Sequence, residues 1–287
     1  SSVIADLLAV RFADYVVTES GFGSDMGMEK FFGIKCRASG LVPDAVVLVA
    51  TVRALKSHGG GPAVVPGKPL PPEYAAENME LLRAGLANLR AHIGIIRRFG
   101  VPAVVAVNAF PSDTPAEWDL IREDAVKAGA ADAAVSRHWA EGGAGAAELA
   151  GAVDRAVADG PGGGFRFLYP PEASLTEKIE TVALEVYGAE GVDYGEGVRE
   201  SLGRLEDQGF GNLPVCVAKT QYSLSHDPRL KGAPRGWRLP VREVRLAAGA
   251  GFIYPLCGDI TTMPGLPSRP AFMDIDVDED GNVRGLF

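Results

Sequence analysis

Continuous apolar runs constrain this 287-residue chain more than any other feature. Ala45 to Ala50 and Val101 to Val107 carry no charged side chain and no polar alternation, and Ala131 to Val135 carries a single acid, Asp132. A strand with one wet face alternates; a run that does not alternate belongs to a parallel sheet covered on both faces. Helical stretches separate the runs. Asn78 to Phe99 sets Met79, Leu82, Leu86, Leu89, Ile93 and Ile96 on one face. Thr114 to Lys127 opens with Thr114 as N-cap and Pro115 at the first helical position. This strand–helix alternation predicts a doubly wound parallel sheet with right-handed crossovers.

A fourth run, Tyr15-Val16-Val17, reads as a buried strand ending in Glu19. A loop with Gly21, Gly23 and Gly27 follows it. Residues 2–13 suit a helix packed on the sheet. Met28 to Ser39 suits a helix with a basic surface (Lys30, Lys35, Arg37) closed by Gly40. Gly160 to Gly164 is the clearest linker and divides the chain into 1–159 and 160–287. The second part carries helices at Leu175–Tyr187 and Tyr194–Gln208, a strand at Val215–Ala218 and β segments from Arg238 onward. The Asp280-Gly281-Asn282 turn predicts a C-terminal hairpin.

Net charge is −9 with no Lys/Arg-rich run, which argues against a nucleic-acid binder. A small anionic substrate fits, because such sites are built locally from backbone N–H groups and a few cations. Cys36, Cys216 and Cys257 are odd in number and far apart, which suits reduced thiols in a cytoplasmic protein. No apolar run reaches membrane-spanning length, and the start lacks a basic leader and an initiator Met. The chain reads as the second half of a longer one.

Parallel α/β sheets place their chemistry at the carboxyl ends of the strands. Four such ends stand in order here: VVTE-SGFG, VVLVAT-VR, VVAVN-AFPSD and AAVS-RHW. P-loop nucleotide-triphosphate folds show this order after their phosphate loop. An acid with glycine serves Mg²⁺ and the γ-phosphate, and a later end carries Asn and then Asp for the base. No stretch matches the phosphate loop G-x-x-x-x-G-K-[ST]. Glu19 and Asp25 then position Mg²⁺ or water, or are ordinary acids at a helix N-terminus. Arg53 and Lys56 are cations near the transfer point; His58 is left open. Phe110 and Trp139 each follow a strand end and form a slot for a flat heteroaromatic ring. Such stacking is worth roughly 1–3 kcal/mol and does not separate pterin from adenine. Lys219-Thr220-Gln221-Tyr222 is either a packing turn between the two parts or a ligand contact.

The run VATVRALKSHGG at 49–60 closely resembles the signature of formate–tetrahydrofolate ligases. The blocks DYVVTESGFGSDMGMEKFFGIKCR at 14–37, GVPAVVAVNAFPSDT at 100–114, GFGNLPVCVAKTQYSLS at 209–225 and RLAAGAGFIYPLCGDITTMPGLPSRP at 245–270 extend it in that family's order. The resemblance implies ligation of formate to tetrahydrofolate with ATP and Mg²⁺, through formyl phosphate, giving 10-formyltetrahydrofolate. It implies the latter half of a P-loop-type fold, with residues 1–159 binding nucleotide and folate and 160–287 forming a smaller mixed α/β domain. Residues Glu19, Asp25, Arg53 and Lys56 would be catalytic, with Glu19 on the metal. Gly21, Gly23, Gly59, Gly60 and Asn108 would serve the nucleotide. Phe110, Pro111 and Trp139 would hold the pterin, with Phe31 adding to the wall. A homotetramer, activation by a monovalent cation and dependence on the amino-terminal half of the enzyme are implied too. A folate- or nucleotide-binding module without turnover is the other reading.

Overall fold

The protein is described here by a computed structural model covering residues 2–64, 69–158, 164–260, 269–270, 273–279 and 283–285. Strands β1 (Val46–Ala50), β2 (Ala103–Asn108) and β3 (Asp132–Ser136) lie parallel in that order. Val46 pairs with Ala103, and Asn108 pairs with Ser136, so the carboxyl ends align at one rim. Along the chain the helices are α1 (Ser2–Ala9), α2 (Arg37–Ser39), α3 (Val52–His58), α4 (Pro72–Ala75) and α5 (Met79–Arg98). Then come α6 (Pro115–Lys127), α7 (His138–Glu141), α8 (Ala147–Ala158), α9 (Leu175–Glu185) and α10 (Val198–Leu205).

β2 shows why its run does not alternate. Val105 and Val107 pack with Leu82, Leu86, Leu89 and Ile93 of α5 and with Ile121 and Ala125 of α6. Val104, on the opposite face, packs with Ala134 and with Ala152 and Ala156 of α8. Both faces are covered, so both residue sets are apolar. The helix starts are set by local chemistry. The Thr51 side chain accepts from Ala54 N–H, and Asn78 accepts from Leu81 N–H. Thr114 and Glu117 form a capping box at α6, and Ser174 and Glu177 form one at α9.

Helices α3 and α5 meet backbone to backbone. A Cβ added to Gly59 would lie 1.9 Å from Leu81 O, and one added to Gly85 would lie 1.8 Å from Leu55 O. Glycine is therefore obligatory at both points.

The second sheet is mixed. β4 (Val192–Tyr194) runs parallel to β5 (Leu239–Ala247), and β5 pairs antiparallel with β6 (Phe252–Cys257). The largest core is common to the two sheets' surroundings: Phe32, Ile96 and Phe99 pack in one cluster with Ile179, Val182, Trp237, Leu239 and Ile253. β7 (Asp276–Val277) and β8 (Val283–Arg284) pair antiparallel as the arms of the expected hairpin. Its turn, Asp280-Gly281-Asn282, and Gly160 to Gly163 of the linker lie outside the described residues. No described helix is long and apolar enough to cross a membrane.

Several expectations are corrected. Tyr15-Val16-Val17 is not a strand: Val17 is 92% exposed and Tyr15 57%. An apolar run becomes a strand only when a neighbouring ladder takes its backbone, and no described strand does so here. Helix α1 forms, yet none of its residues is buried. β1 is an edge strand with Val47 and Val49 exposed, so one of its faces is open. Residues 24–36 wind as two π-helical turns, Ser24–Met28 and Phe31–Cys36, before α2 and the left-handed Gly40. Their cations do not form a free basic surface. Lys30 pairs with Glu29, Lys35 pairs with Asp6, and Arg37 lies over the rings of Phe167 and Tyr169. Val215 and Ala218 make only isolated bridges, to Ile253 and Leu256. Residues 192–194, expected partly as helix, are β4.

Candidate functional site

Three loops meet at the rim that the carboxyl ends of β1, β2 and β3 form. From the first comes Arg53, near the start of α3. Its guanidinium lies 4.2 Å from the centre of the Phe110 ring, and Nη2 donates to Ser112 Oγ at 3.2 Å. The second loop, after β2, folds on Asp113. Oδ2 of Asp113 accepts from Phe110 N–H at 2.9 Å and from Trp118 Nε1 at 3.4 Å. The third loop, after β3, is tied to the second by Ala109 N–H donating to Ser136 O at 3.0 Å. Ser136 Oγ and His138 Nδ1 lie 2.9 Å apart, and Arg137 covers the Trp118 ring at 5.2 Å. Trp139 projects from α7 with 90% of its surface exposed. Asn108 closes β2 beside Ser136, and Pro111 is exposed next to Phe110.

Lys56 is a buried tie in this chain. It is 1% exposed, donates to Ala76 O at 2.7 Å and pairs with Glu117 Oε1 at 2.6 Å. Glu117 Oε1 also accepts from Asn78 N–H, and Oε2 accepts from Thr114 N–H. Each polar atom of the pair is engaged within the protein, which is what burial of two charges demands. Gly59 and Gly60 are likewise explained without a nucleotide. The first permits the α3–α5 contact, and the second follows α3 with φ of +100°. His58 is an anchor: its Nδ1 accepts from Gly232 N–H at 3.1 Å, and burial lowers its pKa to about 4.

Asp25 is also engaged inside the protein. It is 4% exposed and receives Lys219 Nζ at 2.7 Å; that ammonium also donates to Thr220 O and Ser223 O. Burial lowers the pKa of Lys219. Beside this pair, Ser24 Oγ meets His92 Nδ1 at 2.7 Å, and burial holds that imidazole below its ordinary range. Glu29, pushed up by burial, pairs with Lys30, whose Nζ donates to Tyr187 O–H at 3.2 Å. The turn after Val215–Ala218 is thus a packing turn at Lys219, while Tyr222 stays exposed. A Cβ on Gly23 would meet Asp25 Oδ1 at 2.6 Å, and one on Gly27 would meet Gly21 O at 2.0 Å, so the glycine loop is tight against itself.

Glu19 lies exposed and apart from this network. Phe31 rests on Phe32 under Lys35 and packs against the main core. The cysteines are unpaired among the described residues, and burial raises the thiols of Cys36 to about 11 and Cys257 to about 12. Sequence reasoning missed Trp118 and Arg137 at the rim and the Asp25–Lys219 tie. The T-P-A-E capping box was the one legible hint that Glu117 is fixed.

The family model for formate–tetrahydrofolate ligase matches residues 1–287. Formate–tetrahydrofolate ligase 3 of Rubrobacter xylanophilus is 57% identical over 294 residues, covering 100% of this chain and 51% of its own length. The cytoplasmic C-1-tetrahydrofolate synthase of Schizosaccharomyces pombe is 53% identical, with 100% of this chain and 32% of that protein covered. The mitochondrial one of the same organism is 50% identical, with 100% and 31% covered. The chain spans about half the length of the bacterial relative and about a third of the two synthases.

Proposed function

Because the chain belongs to the formate–tetrahydrofolate ligase family, we propose that it supplies the folate-binding half of an enzyme that joins formate to tetrahydrofolate. ATP is consumed and 10-formyltetrahydrofolate, ADP and phosphate are released by way of formyl phosphate. The observation that carries this reading is the rim itself. Phe110 and the exposed Trp139 stand after the ends of adjacent parallel strands, with cationic Arg53 and Arg137 beside them.

The chain's residues divide the work as follows. Trp139 and the face of Phe110 not covered by Arg53 take the flat ring. The guanidinium of Arg53 offers positive charge where an anion would be transferred. Glu19 would hold Mg²⁺: an exposed carboxylate suits an ion that takes one or two carboxylates and fills its shell with water and phosphate oxygens. Bound MgATP supplies the phosphoryl group that activates formate.

The three-stranded sheet belongs, in this reading, to a doubly wound P-loop-type sheet whose phosphate loop lies in the other half of such an enzyme. Covered faces on β2, the open edge of β1 and the exposed Ile4, Leu8, Phe12 and Val17 support it. Residues 160–287 form the smaller domain. A homotetramer, a monovalent-cation requirement and a cytoplasmic site of action complete the proposal.

Trp139→Ala and Phe110→Ala test it. Each should raise the tetrahydrofolate dissociation constant roughly 5- to 150-fold, for a stack worth ~1–3 kcal/mol, and leave a nonhydrolysable ATP analogue unaffected. Weakened ATP binding with folate spared would assign the slot to adenine.

A further inference from the structure

Away from the rim, a cavity of about 430 Å³ opens where the chain entering the first sheet meets the second part. Arg37 and Val42, which precede β1, line it together with Phe167, Tyr169, Asn212 and Pro214. Arg166 N–H donates to Phe99 O at 2.9 Å, just before β2. The cavity thus sits by the amino ends of the strands, whereas the rim lies at their carboxyl ends. Its size and its mostly apolar wall with a few polar groups are those of a small-molecule site. No Asp or Glu is among the described residues that line it. The Arg37 guanidinium is held in place, 3.9 Å from the centre of the Phe167 ring and 4.8 Å from that of Tyr169, and Nη2 donates to Tyr169 O. Beyond Tyr169 stands a second cation, the fully buried Lys178, with Nζ 6.0 Å from the same ring centre and donating to Gly211 O and Leu213 O. The other lysines buried as deeply, Lys56 and Lys219, each pair with a carboxylate. Among the described residues Arg37 and Lys178 pair with none; Glu172 and Glu206 act on them only at a distance. Burial therefore disfavours the charge on both, and Arg37 adds to the strain on Lys178.

We infer that this cavity is a binding site for a small organic carboxylate with a flat apolar body, separate from the folate rim and independent of the folate reading. The charge decides the sign of the ligand. Buried cations need a partner, and the protein supplies these two with carbonyls and rings alone, so an anion from outside completes them. The guanidinium decides the kind of anion. Stacked on Phe167 with one edge tied to Tyr169 O, its planar head keeps donors in the fork geometry that matches a carboxylate. The wall decides the rest of the molecule. A bare phosphate would fill a small part of the cavity and lose its water against Val42, Pro214 and the rings. An apolar body covers those groups and gains by it. A neutral ring of the same shape would leave Arg37 uncompensated, and a cation would meet two like charges.

The probe is 2-naphthoate, titrated by calorimetry into the 287-residue chain beside neutral 2-naphthamide and inorganic phosphate. Wild type should bind 2-naphthoate with a dissociation constant on the order of 1 mM, as a ligand of that size allows. It should prefer the carboxylate over the amide by roughly 10-fold or more. Arg37→Gln should remove that preference. Because Arg37 also packs on two rings, a second variant guards against a folding defect. Val42→Trp, at a position 48% exposed, fills the cavity, leaves Arg37 in place and should abolish binding with the melting temperature kept. Trp139→Ala should bind 2-naphthoate as wild type does, and saturating tetrahydrofolate should not compete. No saturable binding of 2-naphthoate by wild type would overturn the inference. So would equal affinity for 2-naphthoate and 2-naphthamide, or phosphate bound as tightly as 2-naphthoate. Unchanged binding in Val42→Trp would remove the probe from this cavity. Loss of binding in Trp139→Ala, or competition by tetrahydrofolate, would move it to the rim slot; either result overturns the inference and leaves the folate reading standing.

Discussion

Replacing Lys56 by Met separates a buried tie from a catalytic cation. The pair with Glu117 has side-chain exposures of 1% and 0%, so removing one charge strands the other away from water. Such a loss costs about 3–5 kcal/mol. Lys56→Met belongs at the low end, because the Glu117 carboxylate keeps the N–H groups of Asn78 and Thr114. Glu117→Ala should cost more. It leaves the ammonium with Ala76 O and also strips the Thr114 N–H of its cap, a further loss of about 0.5–2 kcal/mol. With an unfolding entropy of ~2.1 cal/mol/K per residue, the whole chain loses about 5 °C of Tm for 3 kcal/mol and about 10 °C for 6. The double variant Lys56→Met/Glu117→Ala should lose less than the sum of the singles, since no charge is then stranded. Thermal and urea unfolding by circular dichroism measure all three. A Lys56→Met protein that melts within 1 °C of wild type but has lost ATP-dependent turnover would refute this reasoning and restore Lys56 to the reaction.

Gly59→Ala should destabilise at least as strongly, because its Cβ meets main chain and not a movable side chain; an unchanged urea midpoint would contradict the α3–α5 contact. Stability should also fall in mild acid. His58 has a folded pKa of about 4 against an ordinary 6.5, so below 6.5 the unfolded chain takes a proton that the folded one refuses. Its contribution is complete above that value and is lost as pH drops toward 4. His58→Asn, whose amide oxygen can take the Gly232 N–H, should flatten the urea midpoint between those limits, and an unaltered slope would remove His58 from the account.

Features that depend on neighbours in the chain were legible in the sequence. The Thr114 cap, the apolar face of α5 and the non-alternating β2 are local patterns with local causes. What the sequence did not show has another origin. Tyr15-Val16-Val17 has strand-like residues, but a ladder must come from elsewhere. Lys56 and Asp25 looked like site charges beside glycines, and nothing near them in sequence announces Glu117 or Lys219 as partners. The glycines at 59 and 23 resembled a phosphate cradle because close backbone approach needs glycine whatever approaches. At the rim, strand ends located Phe110 and Trp139.

The crossing of α3 and α5 at Gly59 and Gly85 bears on how such a sequence can drift. Each glycine abuts the other helix's carbonyl, so the distance between the axes is a hard stop set by main chain. Side chains around the crossing can be exchanged, since they fill the flanks and do not set the gap. The two glycines cannot be exchanged one at a time: a methyl at either forces the helices apart and disturbs the packing of Leu55 and Leu82 at once. Neutral substitution can therefore wander along both helices while their spacing, and with it the position of Arg53 over Phe110, stays frozen.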